Sequence, residues 1–212
     1  EALWRLPEQW VEPPNVRRGG WSGVIRMTLE GVTLYVKRQQ GQRRRFAHRP
    51  WCSRPTYYHE FLALNRLSRL GVPVVEWLLY AEQDGAAILV TRAPSGFVDL
   101  KTLSERDGPD VITTEPRLQA GASRLGDALA RMHALRWQHG ACYPAHFLIH
   151  PETLAVRMLD LERCRRRRSR MAASTADLDQ LTRRAGFLPP PVLARIVDAA
   201  TAAARPVAAR IF

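Results

Sequence analysis

The chain has 212 residues, 46% hydrophobic and 25% charged, which is the balance of a globular protein and excludes a disordered chain. A chain of this length buries enough surface to fold without disulfides or a structural metal. Its formal net charge of +12 excludes a surface built for basic partners and points to phosphate, nucleic acid or lipid headgroups.

The glycine-rich stretch Arg17–Gly23 reads as a turn, followed by a hairpin over Gly23–Arg38 with Glu30-Gly31 at its tip. Gly41–Pro55 carries five arginines and two prolines and is predicted to be a basic loop. Thr56 is placed to cap a helix whose apolar residues Phe61, Leu64, Leu67 and Leu70 recur at helical spacing up to Gly71. A second hairpin spans Val74–Thr91 around Asp84-Gly85. Leu118, Ala122, Leu125, Leu129 and Met132 then line a long helix ending near Trp137.

A loop follows at His139–Ala145. Two short strands flank Pro151, and two helices close the chain, one around Asp177–Ala185 and one after Pro189–Pro191. The expected fold is α+β: a β-rich N-terminal lobe with one helix over residues 1–93 and a mostly helical, minimal C-terminal lobe over 94–212. No apolar run approaches the ~20 residues of a membrane span. Cys52, Cys142 and Cys164, an odd number, read as reduced thiols of a cytoplasmic protein.

Lys37 and Lys101 are the only lysines among 32 basic residues. Arginine serves wherever a generic cation is needed, so Lys37, at the end of the apolar strand Leu34–Arg38, marks a place for a compact point charge. Its parity is opposite to that of Val32, Leu34 and Val36, and it suits nucleotide phosphates. Glu60, on the following helix, can reach back and orient it. Asp160, after the apolar run ending at Leu159, suits a divalent metal bridging phosphates. Glycine turn, strand Lys, helix Glu, hairpin, long helix, His-containing loop and strand Asp follow the part order of the protein-kinase fold.

The stretches HEFLALNRLSRLGVPV, RMHALRWQHGACYPAHFLIH and MLDLERCRRR resemble the bacterial lipopolysaccharide kinase family, the heptose and Kdo kinases of the inner core, and within it the weak-acid-inducible branch. The likeness runs from about Gly19 to Ala185. It implies a protein-kinase-like fold, ATP with Mg²⁺ as donor, and a sugar hydroxyl of the lipopolysaccharide core as acceptor. It also implies that Gly20 and Gly23 let backbone approach the phosphates, with Lys37 and Glu60 as the phosphate-contacting pair. Backbone of Val90–Ala93, including Val90 and Arg92, would meet adenine. His139 opens the catalytic loop, His146 stands at a metal-binding position, and Asp160 is the metal-binding aspartate with Glu162 close behind. Arg163, Arg165, Arg166, Arg167 and Arg168 would grip an anionic acceptor through forked hydrogen bonds.

Two positions depart from the family pattern. Arg18 replaces the first glycine, and Ala141 stands where active heptose kinases carry the aspartate of H-R-D. Loss of a catalytic base costs about 10²–10⁴-fold, so two readings stay open: a kinase of reduced activity, or a pseudokinase that binds nucleotide or lipopolysaccharide precursors. The basic loops also permit peripheral contact with the inner membrane. The His139, Cys142, His146 and His150 spacing is compatible with zinc, although Pro144 interrupts it. An RNA-binding role is disfavoured, because 8% aromatic content comes with no RNP-like strand or helix-turn-helix pattern.

Overall fold

The computed structural model describes residues 2–5, 9–11, 13–17, 19–46, 49–103, 105 and 116–202. Arg18 and the side chain of Leu118 lie outside the described residues. The chain divides into two compact units. The first holds residues 1–70, 75–95 and 161–163, and the second holds 71–74, 96–160 and 164–212.

The first unit is built on an antiparallel sheet of order β1-β2-β3-β7-β6. Its strands are β1 (Asn15–Arg17), β2 (Gly20–Leu29), β3 (Val32–Gln40), β6 (Trp77–Gln83) and β7 (Ala86–Arg92). The two predicted hairpin tips form as expected, with Glu30 and Asp84 at φ 49° and a positive-φ glycine after each, the backbone of a type I′ turn. Both faces of the sheet are covered. Ile25, Leu34, Val36 and Val90 form a core with Leu3, Trp10, Met27 and Ile88, each such apolar side chain contributing about 1.5–3 kcal/mol. The N-terminal segment covers that face: Trp10 bridges to Ile25, the Val11 N–H donates to the Val24 carbonyl at 2.8 Å, and Arg38 lies 4.7 Å from the Trp10 ring. The opposite face meets helix α1 (Thr56–Arg69).

Two expectations in this unit are corrected. Residues 41–55 are not a loop: β4 (Arg43–Phe46) and β5 (Arg49–Pro55) pair as a two-stranded hairpin. Its prolines are tolerated because a two-stranded ribbon leaves an open edge on each strand, where no N–H is required. Thr56 does not cap α1. Its hydroxyl donates to Gln39 Oε1 at 2.6 Å, and the same oxygen accepts the Tyr57 N–H at 2.9 Å, so α1 is tied to β3 through Gln39.

The second unit is mostly helical, with α2 (Pro116–Ala134), α3 (Arg170–Arg184) and α4 (Pro190–Thr201). Buried residues recur at helical spacing: Ala122, Leu125, Leu129 and Met132 on α2, and Val192, Ile196 and Ala200 on α4. The helix predicted from Asp177 starts earlier, because Ser169 Oγ accepts the Ala172 N–H at 3.1 Å and caps it. The short strands β8 (Val98–Asp99), β10 (Phe147–Ile149) and β11 (Val156–Met158) pair in the order β11-β10-β8, and β12 (Arg165–Arg166) pairs with β9 (Trp137–Gln138). These pairings bracket the 139–146 loop and bring the chain to Asp160.

Candidate functional site

In the first unit β3 turns Lys37 toward α1, one strand position out of phase with Leu34 and Val36. Its Nζ donates to both oxygens of Glu60, at 2.6 and 2.8 Å. Glu60 is 1% exposed, and the Tyr57 ring lies 5.8 Å from the same ammonium. Burial pushes the Tyr57 phenol up, against the opposing pull of Lys37. A carboxylate this deep requires its cation, and removing one member of such a pair costs about 3–5 kcal/mol.

Gly20 and Gly23, expected to open backbone to phosphates, are strand residues, and Gly19 is a turn residue ahead of them. A Cβ on Gly20 would run into the Gln40 carbonyl and the Gln42 N–H, and one on Gly23 would meet the Trp10 ring at 2.5 Å. Their small size is explained by that packing. Val90 and Arg92, expected at an adenine-facing edge, are likewise engaged within the sheet. Val90 pairs with both β3 and β6, the Arg92 N–H donates to the Glu76 carbonyl at 2.9 Å, and the Ala93 N–H donates to the Thr33 carbonyl at 2.9 Å. Glu162 and Arg163 also belong to this unit. The Glu162 carboxylate faces Arg163 Nε at 3.5 Å, and its carbonyl accepts from Arg44.

In the second unit the 139–146 loop is fastened to α3. Asp177, fully buried, accepts the His139 N–H at 2.7 Å and the Gly140 N–H at 2.9 Å, and lies 2.9 Å from His133 Nε2. One turn further along α3, Gln180 Oε1 accepts the Cys142 N–H at 2.7 Å. Arg184 then lies 5.6 Å from the Tyr143 ring. A single stripe of α3 thus sets the whole loop. Asp177 was missed as a functional residue; its only signal in the sequence is an acid on the apolar face shared with Ala173 and Leu181.

His139, expected among the catalytic residues, points into the interior. It is wholly buried, and its Nδ1 accepts the Ala141 N–H at 3.3 Å. Burial lowers its pKa to about 4, with Asp177 opposing, so it is neutral at physiological pH and out of reach of a ligand. Ala141 is 2% exposed and acts through its backbone.

His146 Nδ1 donates to the Ala141 carbonyl at 2.8 Å. A carbonyl can only accept, so the tautomer follows and the Nε2 lone pair is the free one. That nitrogen lies 3.4 Å from Asp160 Oδ2. Two acceptors this close are opposed unless a proton or cation joins them. Asp160 itself sits at φ +59°, in the left-handed region that aspartate tolerates better than most residues, and the Leu159 N–H donates to the His146 carbonyl at 3.1 Å.

The pair fits a divalent cation that takes one carboxylate and completes its shell with phosphate oxygens and water, as Mg²⁺ does. The imidazole would also suit Mn²⁺. No group of three or more metal-ligating side chains occurs among the described residues, which argues against a closed zinc site. His150 Nδ1 instead accepts the Glu152 and Thr153 N–H groups at 3.3 Å each.

The arginine run is partly ordered. Arg165 and Arg166 form β12, with Arg165 Nε donating to Gln138 Oε1 at 3.1 Å. The Arg167 N–H donates to the Arg136 carbonyl at 2.8 Å, and the side chains of Arg165, Arg166 and Arg168 are exposed.

Residues 1–202 match the model of the lipopolysaccharide kinase (Kdo/WaaP) family. Protein InaA of Escherichia coli (strain K12) is 34% identical over 184 residues, covering 84% of each chain. Among solved structures, WaaP in complex with acyl carrier protein superposes with a TM-score of 0.64 at 20% identity, covering 91% of this chain and 79% of that one. An aminoglycoside-3'-phosphotransferase of type VIII gives 0.59 at 17% identity, covering 92% and 87%. Both likenesses show the expected protein-kinase-like fold.

Proposed function

Because the chain belongs to the lipopolysaccharide kinase (Kdo/WaaP) family, we propose that it is a cytoplasmic, ATP-dependent phosphotransferase acting slowly on a sugar hydroxyl of the lipopolysaccharide core or a related glycan. The observation that carries this reading is the Lys37–Glu60 pair, in which a buried carboxylate aims one of only two lysines. A point charge so directed suits a nucleotide phosphate. Asp160 and His146 would hold Mg²⁺, which when bound neutralises charge on the phosphates. Exposed Arg165, Arg166 and Arg168 would bind an acidic acceptor, with Arg163 and Arg167 as further candidates for it and Glu162 as a further candidate for the metal.

Slow turnover follows from Ala141. Phosphoryl transfer depends chiefly on positioning and charge neutralisation, so it survives the loss of a base at a cost of about 10²–10⁴-fold. The 139–146 loop holds no carboxylate to replace it, and Asp177 on α3 is fully buried with both oxygens on backbone N–H groups. That same observation favours a second reading, a nucleotide-binding protein without phosphotransfer.

Calorimetric titration of Mg·ATP into the protein, into Lys37→Met and into Asp160→Asn tests the shared premise. Binding that weakens at least tenfold in both variants is expected, and unchanged binding in both overturns the nucleotide reading. Acceptor-dependent ADP release by the unsubstituted protein then separates the two readings.

A further inference from the structure

We propose that the outward face of the β4–β5 hairpin, together with the adjoining β1, is a docking surface for an anionic lipid bilayer. From Gly31 to His59 the chain contains no Asp or Glu. The hairpin is sorted by face. Toward α1, the Phe46 ring meets His59 at 4.6 Å and Tyr58 at 6.0 Å. Arg44 donates to the Glu162 carbonyl, and Arg54 pairs with Glu82 and lies 4.1 Å from the Tyr58 ring. These contacts fix the hairpin on its inner side.

The outer side carries Arg43, Arg45 and Trp51. Trp51 is 81% exposed, more than any other exposed large hydrophobic among the described residues. The register accounts for it: Arg45 pairs with Ser53 and Phe46 with Arg49, so residues 50–52 face no residue of β4. Such a bulge re-aims a side chain. Gln42 Nε2 donates to the Asn15 carbonyl at 3.1 Å, which ties the base of this hairpin to β1, where Val16 is 75% exposed and Arg17 is also exposed.

Arginine forks with an indole and an aliphatic side chain, and no acid among them, match the polar–apolar boundary of an anionic bilayer. Guanidinium meets phosphate there, while the indole sits at headgroup depth. An aliphatic side chain offers a nucleobase no stacking surface, so Val16 favours lipid over RNA. The inference rests on this surface and not on the phosphotransfer reading.

Co-sedimentation of the full chain with vesicles of equal parts phosphatidylglycerol and phosphatidylcholine, against pure phosphatidylcholine, tests it. Binding is expected to the anionic vesicles only and to weaken in high salt. Arg45→Ser and Arg17→Ser should each weaken it about fivefold, and Trp51→Ser about tenfold. The exposed positions leave thermal stability and Mg·ATP titration unchanged, which separates this test from that of the nucleotide reading. Retained binding in the triple variant Arg17→Ser/Arg45→Ser/Trp51→Ser overturns the proposal, as does loss of binding only in Arg166→Ser/Arg168→Ser. A hairpin variant that loses single-stranded RNA binding but keeps vesicle binding overturns it in favour of nucleic acid.

Discussion

In the first unit Lys37 is aimed by another side chain, and every part of that arrangement depends on which residues stand at 37 and 60. In the second unit the 139–146 loop is held through its backbone, by Asp177 and Gln180 on α3. The backbone N–H groups of residues 139, 140 and 142 are the same whatever side chains those residues carry. A loop fastened in this way keeps its course when a side chain is exchanged, so that position 141 can carry an alanine while His146 still faces Asp160. Charge is therefore fragile in one unit and shape is robust in the other.

The largest effect should come from attacking the fastening itself. Asp177→Ala leaves two N–H groups and His133 without their acceptor in a buried setting and should cost about 3–5 kcal/mol in urea unfolding. Asp177→Asn, with one oxygen left to accept, should recover part of it. If Asp177→Ala costs under about 1 kcal/mol, the loop is held by something else and the contrast fails.

Next comes the ion pair. Lys37→Met strands Glu60 and should cost about 3 kcal/mol. Glu60→Gln should cost less, because Lys37 retains some exposure. The double variant should be more stable than the sum of the singles, as a pair removed together leaves no buried charge. Additive losses would show that the two side chains do not act as a pair.

Third, His139 makes the loop sensitive to acid. Its folded pKa near 4 lies below the ordinary value of about 6.5, so the unfolded chain binds a proton that the folded chain refuses. The stability that depends on this neutral imidazole is complete above about pH 6.5 and declines as pH falls toward 4, by up to about 1.4 kcal/mol per pH unit. Unfolding midpoints across that window should flatten in His139→Asn. The smallest effect should be that of Gly140→Ala. At φ +77° a Cβ costs about 1–2 kcal/mol, seen as a modest drop in thermal midpoint.

Hairpin tips at Glu30-Gly31 and Asp84-Gly85, and the apolar faces of α1 and α2, were legible because turn chemistry and helical period are local signals. Lys37, Glu60 and Asp160 are legible as residues because chain order and scarcity of lysine single them out, His146 only through the family resemblance, and the fold brings Lys37 to Glu60 and His146 to Asp160. Asp177 is not, because its partners in the loop are backbone groups 37 and 38 positions away, and a backbone partner leaves no mark in sequence. The β4–β5 hairpin was hidden by its arginines and prolines, since a ribbon anchored by Phe46 and cation–aromatic contacts has no alternating apolar pattern. The packing role of Gly20 and Gly23 is hidden in the sequence because their neighbours Gln40 and Trp10 are distant in the chain.

The left-handed backbone of Asp160 also restricts how this position can change over time. Glutamate would preserve the negative charge but tolerates that handedness less well and carries its carboxylate one methylene further out. Asparagine would preserve the handedness and discard the charge. Electrostatics and chain geometry are inherited together there, so drift by small chemical steps is blocked in both directions.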